Sequence, residues 1–386
     1  MTVLEPSNPH AAAALLAEAG RAGTSLRPRG SGSKQSWGDR PAGHERYLST
    51  LQLSGPIHHY AGDLVATIPA GTTLATANVV LGRERQWLPL DPPFGDAATI
   101  GGIVATNDSG PRRHLHGAAR DLIVGIEFAL ADGRIAKAGG RVVKNVAGYD
   151  LARLLCGSFG SLALITSATF KLAPVAPFSV TLSAEPQDAA RACALALAVA
   201  AAPLTPSAIE VEAPSPRLLV RFETTEAAAR QQAESARRLF DQAGAPACVH
   251  LDEDERTLWR LHERRVQEGG DVLFKVSVLP TDLASVFAQL DQTPASVTWC
   301  AAGRAALGLL LVRLAGAPEV LSDLVLRLRA HVASRGGHLV VLQSPPPVRA
   351  RVDPWGELGH VSLMRAVKAR FDPHNVLSPG CGPGGI

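Results

Sequence analysis

Cysteine is scarce in this 386-residue chain and badly spaced for covalent or metal chemistry. Cys156, Cys193, Cys248, Cys300 and Cys381 are odd in number and include no C-x-x-C pair. That argues against a disulfide framework, a zinc finger and a cysteine-ligated iron–sulfur cluster, and it fits a reducing compartment. Charge of one sign is also lacking. The 38 Lys and Arg against 35 Asp and Glu leave only +3, so nucleic-acid binding by a concentrated basic face is excluded. The longest apolar stretch, Ala192 to Leu204, is interrupted by Pro203 and too short to cross a bilayer. The opening Met1-Thr-Val-Leu-Glu-Pro6 has neither a basic region nor an apolar core, so no signal peptide is expected. These absences point to a cytoplasmic protein whose membrane contact, at the inner face, is made only peripherally and through a larger complex.

What is present suffices for a core: 46% of residues are hydrophobic and 19% charged. The length suggests two or three domains at about 150 residues each. Glycine (36) and proline (28) are abundant while aromatics stay at 5%, which suggests many tight turns and a backbone-rich site. Asn8-Pro9 before Ala11–Ala19 reads as a cap, an N1 proline and a helix. Thr72 or Thr73 caps a second helix. Leu122–Leu130 and Ile135–Ala138 flank Asp132-Gly133 as a hairpin. The composition shifts at Ala173-Pro-Val-Ala-Pro177, so a mixed α+β unit over 1–175 is expected first. Beyond it, a β-α-β-β-α series suggests a smaller α+β sandwich over 176–345, with helices on one face of an antiparallel sheet, and a second set of similar elements from Asp271 to Leu342. Pro345-Pro-Pro347 reads as a stiff linker into a C-terminal segment, 346–386.

Three segments carry chemistry. Arg29-Gly-Ser-Gly-Ser-Lys34 can aim backbone amides at an anion from a turn without Cβ atoms in the way. It lacks both the P-loop spacing and the dinucleotide fingerprint, and a solvated turn has the same composition. Asp96-Ala-Ala-Thr-Ile-Gly-Gly-Ile-Val-Ala-Thr-Asn107 places paired glycines in an apolar run, a sign of close backbone approach to a ligand or to another strand. Its Thr99, Thr106 and Asn107 add uncharged side-chain donors. Lys144-Asn-Val-Ala-Gly-Tyr-Asp-Leu151 and Cys156-Gly-Ser-Phe-Gly-Ser-Leu162 repeat the theme of exposed backbone before a buried strand. Lys144, between apolar neighbours, is either a ligand cation or a surface lysine with a snorkelling stem.

The order of these segments, with Pro69-Ala-Gly-Thr72, Leu88-Pro-Leu-Asp91, Arg120–Gly125 and the closing Ala369-Arg-Phe-Asp-Pro-His-Asn-Val-Leu-Ser-Pro-Gly380, resembles the FAD-linked oxidases of the vanillyl-alcohol-oxidase or PCMH type. Within them it is most similar to the FAD-binding subunits of glycolate oxidase (glycolate dehydrogenase). The likeness covers 7–172 and resumes at 369–380. It implies a two-lobed FAD-binding domain, a smaller α+β (ferredoxin-like) cap, and a C-terminal segment returning to the flavin. It also implies that Arg29, Gly30, Ser31, Gly32 and Ser33 hold the pyrophosphate. Thr99, Gly101, Gly102, Thr106 and Asn107 would flank pyrophosphate and isoalloxazine, with Ile123, Gly160 and Ile165 near the adenosine half and Asn375 near the ring. Ser31 and Ser33 stand in the first loop, where covalent members present His or Cys, so non-covalent FAD is expected.

The sequence departs from the larger hydroxy-acid dehydrogenases of this superfamily, whose His-x-Gly-x-Gly-Asn-x-His-like run is missing, and no metal site is expected. Oxidising a 2-hydroxy acid needs a cation for the carboxylate, a base for the hydroxyl proton and a flavin to accept hydride. Cations are available loosely in Lys144, Arg112, Arg113, Arg304, Lys368 and Arg370. The candidate bases are weak: Lys144, His116 and His360, with His114 beside them. The expected function is therefore the FAD-binding subunit of a multi-subunit glycolate dehydrogenase, partnered by a catalytic FAD subunit and an iron–sulfur subunit. An autonomous 2-hydroxy acid dehydrogenase and a non-catalytic structural subunit are the alternatives.

Overall fold

Capping chemistry sets the first elements. Asn8 is extended and its side chain accepts from the Ala11 amide, which starts the helix Pro9–Arg21 as the Asn-Pro pair predicts. Thr73 does the same for Leu74–Leu81, Thr99 for Ile100–Thr106, and Asp150 for Leu151–Leu155. The Gly-Gly pair at 101–102, read as a close backbone approach to a ligand or to another strand, is inside a short helix, because a capping threonine precedes it and an asparagine in the left-handed region ends it. These elements come from a computed structural model that describes residues 2–38, 46–93, 95, 97–141 and 148–386. Among the described residues no helix is long and apolar enough to cross a membrane.

The chain divides into two compact units, one of 1–110, 116–175 and 357–386, the other of 111–115 and 176–356. The first unit holds a three-stranded parallel sheet in the order Thr2–Leu4, Arg46–Ser49, Arg27–Arg29. It also holds a five-stranded antiparallel sheet in the order His58–Tyr60, Val65–Pro69, Leu164–Lys171, Ile123–Ala129, Ile135–Gly139. Phe128, Phe170 and Ile68 are fully buried between this sheet and the helices Leu74–Leu81 and Ile100–Thr106. Each stabilises the unit by roughly 1.5–3 kcal/mol. The C-terminal segment rejoins here. Leu26 N donates to Val376 O at 2.7 Å and Ser378 N to Leu26 O at 3.0 Å, adding a bridge beside the parallel sheet.

The second unit is one eight-stranded antiparallel sheet. Across it run Ala247–His250, Phe178–Ala184, Arg217–Thr224, Ala208–Ala213, Thr298–Arg304, Leu309–Ala315, Val272–Ser277 and His338–Gln343. Each half has its fourth strand outermost, then its first, third and second, and the two second strands pair with each other. Side-chain alternation divides the faces. Leu218, Val220 and Phe222 join the main core under the helices Ala189–Ala201, Glu226–Gln242, Leu283–Leu290 and Pro318–Ala333. Leu219 points the other way, onto Leu258 and Trp259 of the helix Asp252–Gln267. Helices on one face alone were expected, and this fifth helix corrects that. Its acidic first turn, Asp252–Glu255, and basic last turn, Arg264-Arg265, match the helix dipole. Pro345–Pro347 is likewise not an extended linker: Pro346–Arg349 is a helical turn, and Val348 and Val352 are buried in the second unit's core.

Candidate functional site

A cleft of about 820 Å³, counted to its open mouth, lies in the first unit. Three separated segments wall it: 27–37 after the strand Arg27–Arg29, 98–106 along the short helix, and 159–165 leading into the strand Leu164–Lys171; Thr50 and Cys381 complete it. Among the described residues no acidic side chain lines it.

The first wall supplies the donors. Among the described residues the amides of Ser31, Gly32 and Ser33 make no hydrogen bond to the protein. They line the cleft in a turn whose Gly32 has φ +84°. Successive unpaired N–H groups of this kind form an anion-binding nest. At Gly30 a Cβ would collide with Thr99 Oγ1 and lie 3.1 Å from its Cβ, so only glycine lets the loop close on the helix. Arg29 stacks its guanidinium 5.6 Å from the Tyr47 ring centroid and has no carboxylate partner among the described residues.

The second wall behaves differently from expectation. Ile100 N donates to Thr72 O at 2.9 Å, Gly101 N to Ala70 O at 2.9 Å and Gly102 N to Thr99 Oγ1 at 3.4 Å. Thr106 Oγ1 donates back to Gly102 O at 2.8 Å. The helix start is therefore saturated, and Gly101 is a packing glycine: a Cβ there would lie 3.0 Å from the Ala70 Cβ and 3.2 Å from its carbonyl oxygen. The third wall is tied to this helix, since Gly157 N reaches Val104 O at 2.9 Å and Phe159 N reaches Ala105 O at 2.8 Å. Phe159 and Gly160 both have positive φ (54° and 71°).

Behind the third wall sits Lys368 of the helix Val361–Phe371. Its ammonium, buried, donates to Ser161 O (2.7 Å), Asp372 Oδ2 (2.6 Å) and Leu377 O (2.7 Å). All three protons are matched, and Asp372 in turn accepts from the Val376 and Leu377 amides. Burial pulls the Lys368 pKa down, opposed by Asp372. Lys368 is thus a lock between the C-terminal segment and the cleft wall, not a free cation for substrate.

Of the residues singled out from the sequence, the cleft gathers Arg29, Gly30, Ser31, Gly32, Ser33, Thr99, Gly101, Gly102, Thr106, Gly160 and Ile165. Three others lie outside its lining. Asn107 uses its Oδ1 to accept from Arg120 N (3.2 Å) and Cys156 Sγ (3.3 Å). Ile123 is in the hydrophobic core. Asn375 is exposed at a left-handed turn, and Cys381 instead brings the C-terminal segment to the cleft. Lys144 lies outside the described residues. His116 packs edge-on to Trp87, ring centroids 5.8 Å apart, and His360 is exposed at the start of Val361–Phe371.

Sequence reasoning missed the polar network on the second face of the eight-stranded sheet. His262, buried, faces Glu212 Oε1 through Nδ1 (2.7 Å) and Glu210 Oε2 through Nε2 (3.1 Å). Burial works against the charged imidazole, but the hydrogen bonds and charges of Glu210 and Glu212 outweigh it and raise the pKa to about 9. With both nitrogens donating, His262 is not a base. Glu212 also pairs with Arg217 (2.7 Å) and Arg265 (3.1 Å), and these with His262 overcome its burial and hold it at about 2. Arg112 grips Glu223 at 2.9 and 2.8 Å, and Arg304 lies 3.5 Å from Glu210. Burial lowers the pKa of His114, with Glu210 opposing. The visible sequence signal was Glu210-Val-Glu212, two acids alternating through an apolar strand.

In the same unit Ser183 Oγ, His250 and Asp254 align as nucleophile, base and orienter, at 2.7 and 2.6 Å. Ser183 sits mid-strand between two paired neighbours, so its surrounding amides serve the ladder and no oxyanion site forms. Among the described residues no group of three or more His, Cys, Asp or Glu could hold a metal.

Comparison with known proteins bears on the cleft. Residues 2–139 match the family described as FAD binding domain, and 355–381 the one described as FAD linked oxidases, C-terminal domain. The first match contains the nest and the glycine helix, and FAD is the cofactor. The glycolate oxidase subunit GlcE of Escherichia coli (strain K12) is 38% identical over 42% of this chain and 46% of that protein. The D-lactate dehydrogenase of Archaeoglobus fulgidus is 37% identical over 45% of this chain and 38% of that one. The match thus spans less than half the length of either relative. The glycolate oxidase subunit GlcD of Bacillus subtilis (strain 168) is 26% identical over 92% of this chain and 82% of that protein. Alkyldihydroxyacetonephosphate synthase, in a solved structure with TM-score 0.73 and 15% identity, covers 98% of this chain over 75% of its own length, which shows a shared α+β fold.

Proposed function

We propose that this chain is the FAD-binding subunit of a multi-subunit 2-hydroxy acid dehydrogenase acting on glycolate, which holds FAD without a covalent bond and passes electrons on through a catalytic flavin subunit and an iron–sulfur subunit. The carrying observation is the cleft itself: among the described residues, three unpaired amides, an Arg29 without a carboxylate partner and a lining without acidic side chains suit a diphosphate. Bound there, FAD supplies an acceptor for hydride. The chain's own residues bind and orient it: the Ser31–Ser33 amides take the anion, Gly30 lets the loop close, and Lys368 fixes the wall at Ser161.

A partnered role is supported by what the charged side chains already do. Arg112, Arg304 and Lys368, candidate carboxylate cations, are committed to Glu223, Glu210 and Asp372. His262 is saturated, and His116 packs against Trp87. The double strand order, fourth-first-third-second in each half, supports taking the second unit as a pair of ferredoxin-like halves forming the cap. Purification of the chain alone, a flavin-to-protein ratio, and a glycolate assay with an artificial acceptor test the proposal. Bound flavin with negligible glycolate turnover is expected, and full turnover without partners would overturn it. The match to the B. subtilis subunit over most of both chains favours a second reading, an autonomous 2-hydroxy acid dehydrogenase. In that case substitution of His114, His116 or His360 abolishes flavin reduction and spares flavin content.

A further inference from the structure

Lys34 is buried in a way that its protein contacts do not account for. Its side chain is 6% exposed, and Asp108, at 10%, is 3.2 Å away. The pair is close but poorly aligned: neither Lys34 Nζ nor Asp108 Oδ2 has a hydrogen-bond partner. The Trp37 ring centroid lies 5.7 Å from the ammonium. A buried ammonium carries three donors and is strongly hydrated in water, so leaving them unmatched is costly. Lys368 in the same unit shows the alternative, with three acceptors at 2.6–2.7 Å. Lys34 has none of these and lines the cleft directly after the Ser31–Ser33 amides, whereas Asp108 is not among the lining residues.

We propose that Lys34 is the counter-cation of the FAD diphosphate and that Asp108 is the positioning residue that holds its ammonium at the cleft. This rests on the FAD reading and assigns a residue within it. The diphosphate of FAD carries two negative charges at neutral pH. The amide nest supplies dipoles only, and Arg29 and Lys34 supply the cations. With Lys34 in the cleft lining and Asp108 outside it, the phosphate oxygens supply the missing acceptors for Nζ.

The test titrates the flavin-free full-length chain with FAD, ADP and adenosine by calorimetry, at two ionic strengths, for the unaltered protein, Lys34→Met and Lys34→Arg. Lys34→Met should weaken FAD and ADP at least tenfold, leave adenosine within about twofold, and flatten the salt dependence, since one fewer charge contact is screened. Lys34→Arg should recover part of the loss. Equal FAD affinity of Lys34→Met and the unaltered chain overturns the proposal alone. Equal loss of FAD, ADP and adenosine also overturns it, marking Lys34 as a structural support. No FAD uptake by the unaltered chain overturns the FAD reading and this assignment together.

Discussion

Both units bury cations, and His262 in the second and Lys34 in the first are treated oppositely. In the second unit His262 is enclosed by Glu210 and Glu212, which are themselves met by Arg217, Arg265 and Arg304. In the first, Lys34 faces Asp108 without a hydrogen bond and three neighbouring amides are unpaired. The His262 network holds a helix on a sheet with both imidazole nitrogens matched, and in it Glu210 Oε1 is left without a hydrogen bond. An open network is a surface whose polar groups are satisfied only when something binds. The contrast separates the stabilising machinery of this fold from its binding machinery.

The largest expected effect breaks the closed side. His262→Ala leaves two buried glutamates facing each other and should destabilise the second unit by about 3–5 kcal/mol, read from urea unfolding. Flavin uptake by the still-folded fraction should not change. Loss of flavin affinity with unchanged stability would reverse the assignment of the two networks.

The pH profile sharpens the same point. The folded pKa of His262, about 9, is above its unfolded value near 6.5. Its contribution is therefore full below about pH 6.5 and is lost as pH rises through 9, a loss of about 3 kcal/mol. Glu212 and Glu223 are held at about 2, the latter by Arg112 and Arg221 despite its burial. Their contribution is present above about pH 4.5 and is lost as pH falls through 2. His262→Gln should remove the alkaline limb of the stability curve and keep the acid limb at Glu223. An alkaline limb that survives the substitution refutes the role of His262.

On the open side, Gly30→Val drives a side chain into Thr99 and should weaken FAD binding at least tenfold, equivalent to about 1.4 kcal/mol, with a smaller change in melting temperature. Unchanged affinity would mean the loop does not close on the helix when FAD binds. The smallest effects should be equal in both units. Asn8→Ala and Asp188→Ala each remove one helix cap and should destabilise by about 1 kcal/mol, with flavin affinity untouched.

Much of the scaffold was legible because its causes are local. Asn8-Pro9, Thr73 and the Asp132-Gly133 turn act over three or four residues. The cleft was legible as a set of segments rather than as a set of contacts. Asn107 looked like a ligand donor, but its oxygen is occupied by Arg120 and Cys156, partners 13 and 49 positions away. Lys368 looked like a loose cation, yet it reaches Ser161, 207 residues earlier. The helix Asp252–Gln267 escaped notice because its charged surface outweighs the few residues it buries.

Small residues and hydroxyls at fixed places in the chain, together with capping and alternation, determined on their own that glycine-lined turns and these helices and strands would form, because backbone conformation responds to nearest neighbours. Which amides end up unpaired, which carboxylate meets which arginine, and which lysine is left with protons to give were decided only by tertiary structure. Hydrogen bonds and ion pairs act over about 3 Å, and only folding brings residues a hundred positions apart within that distance.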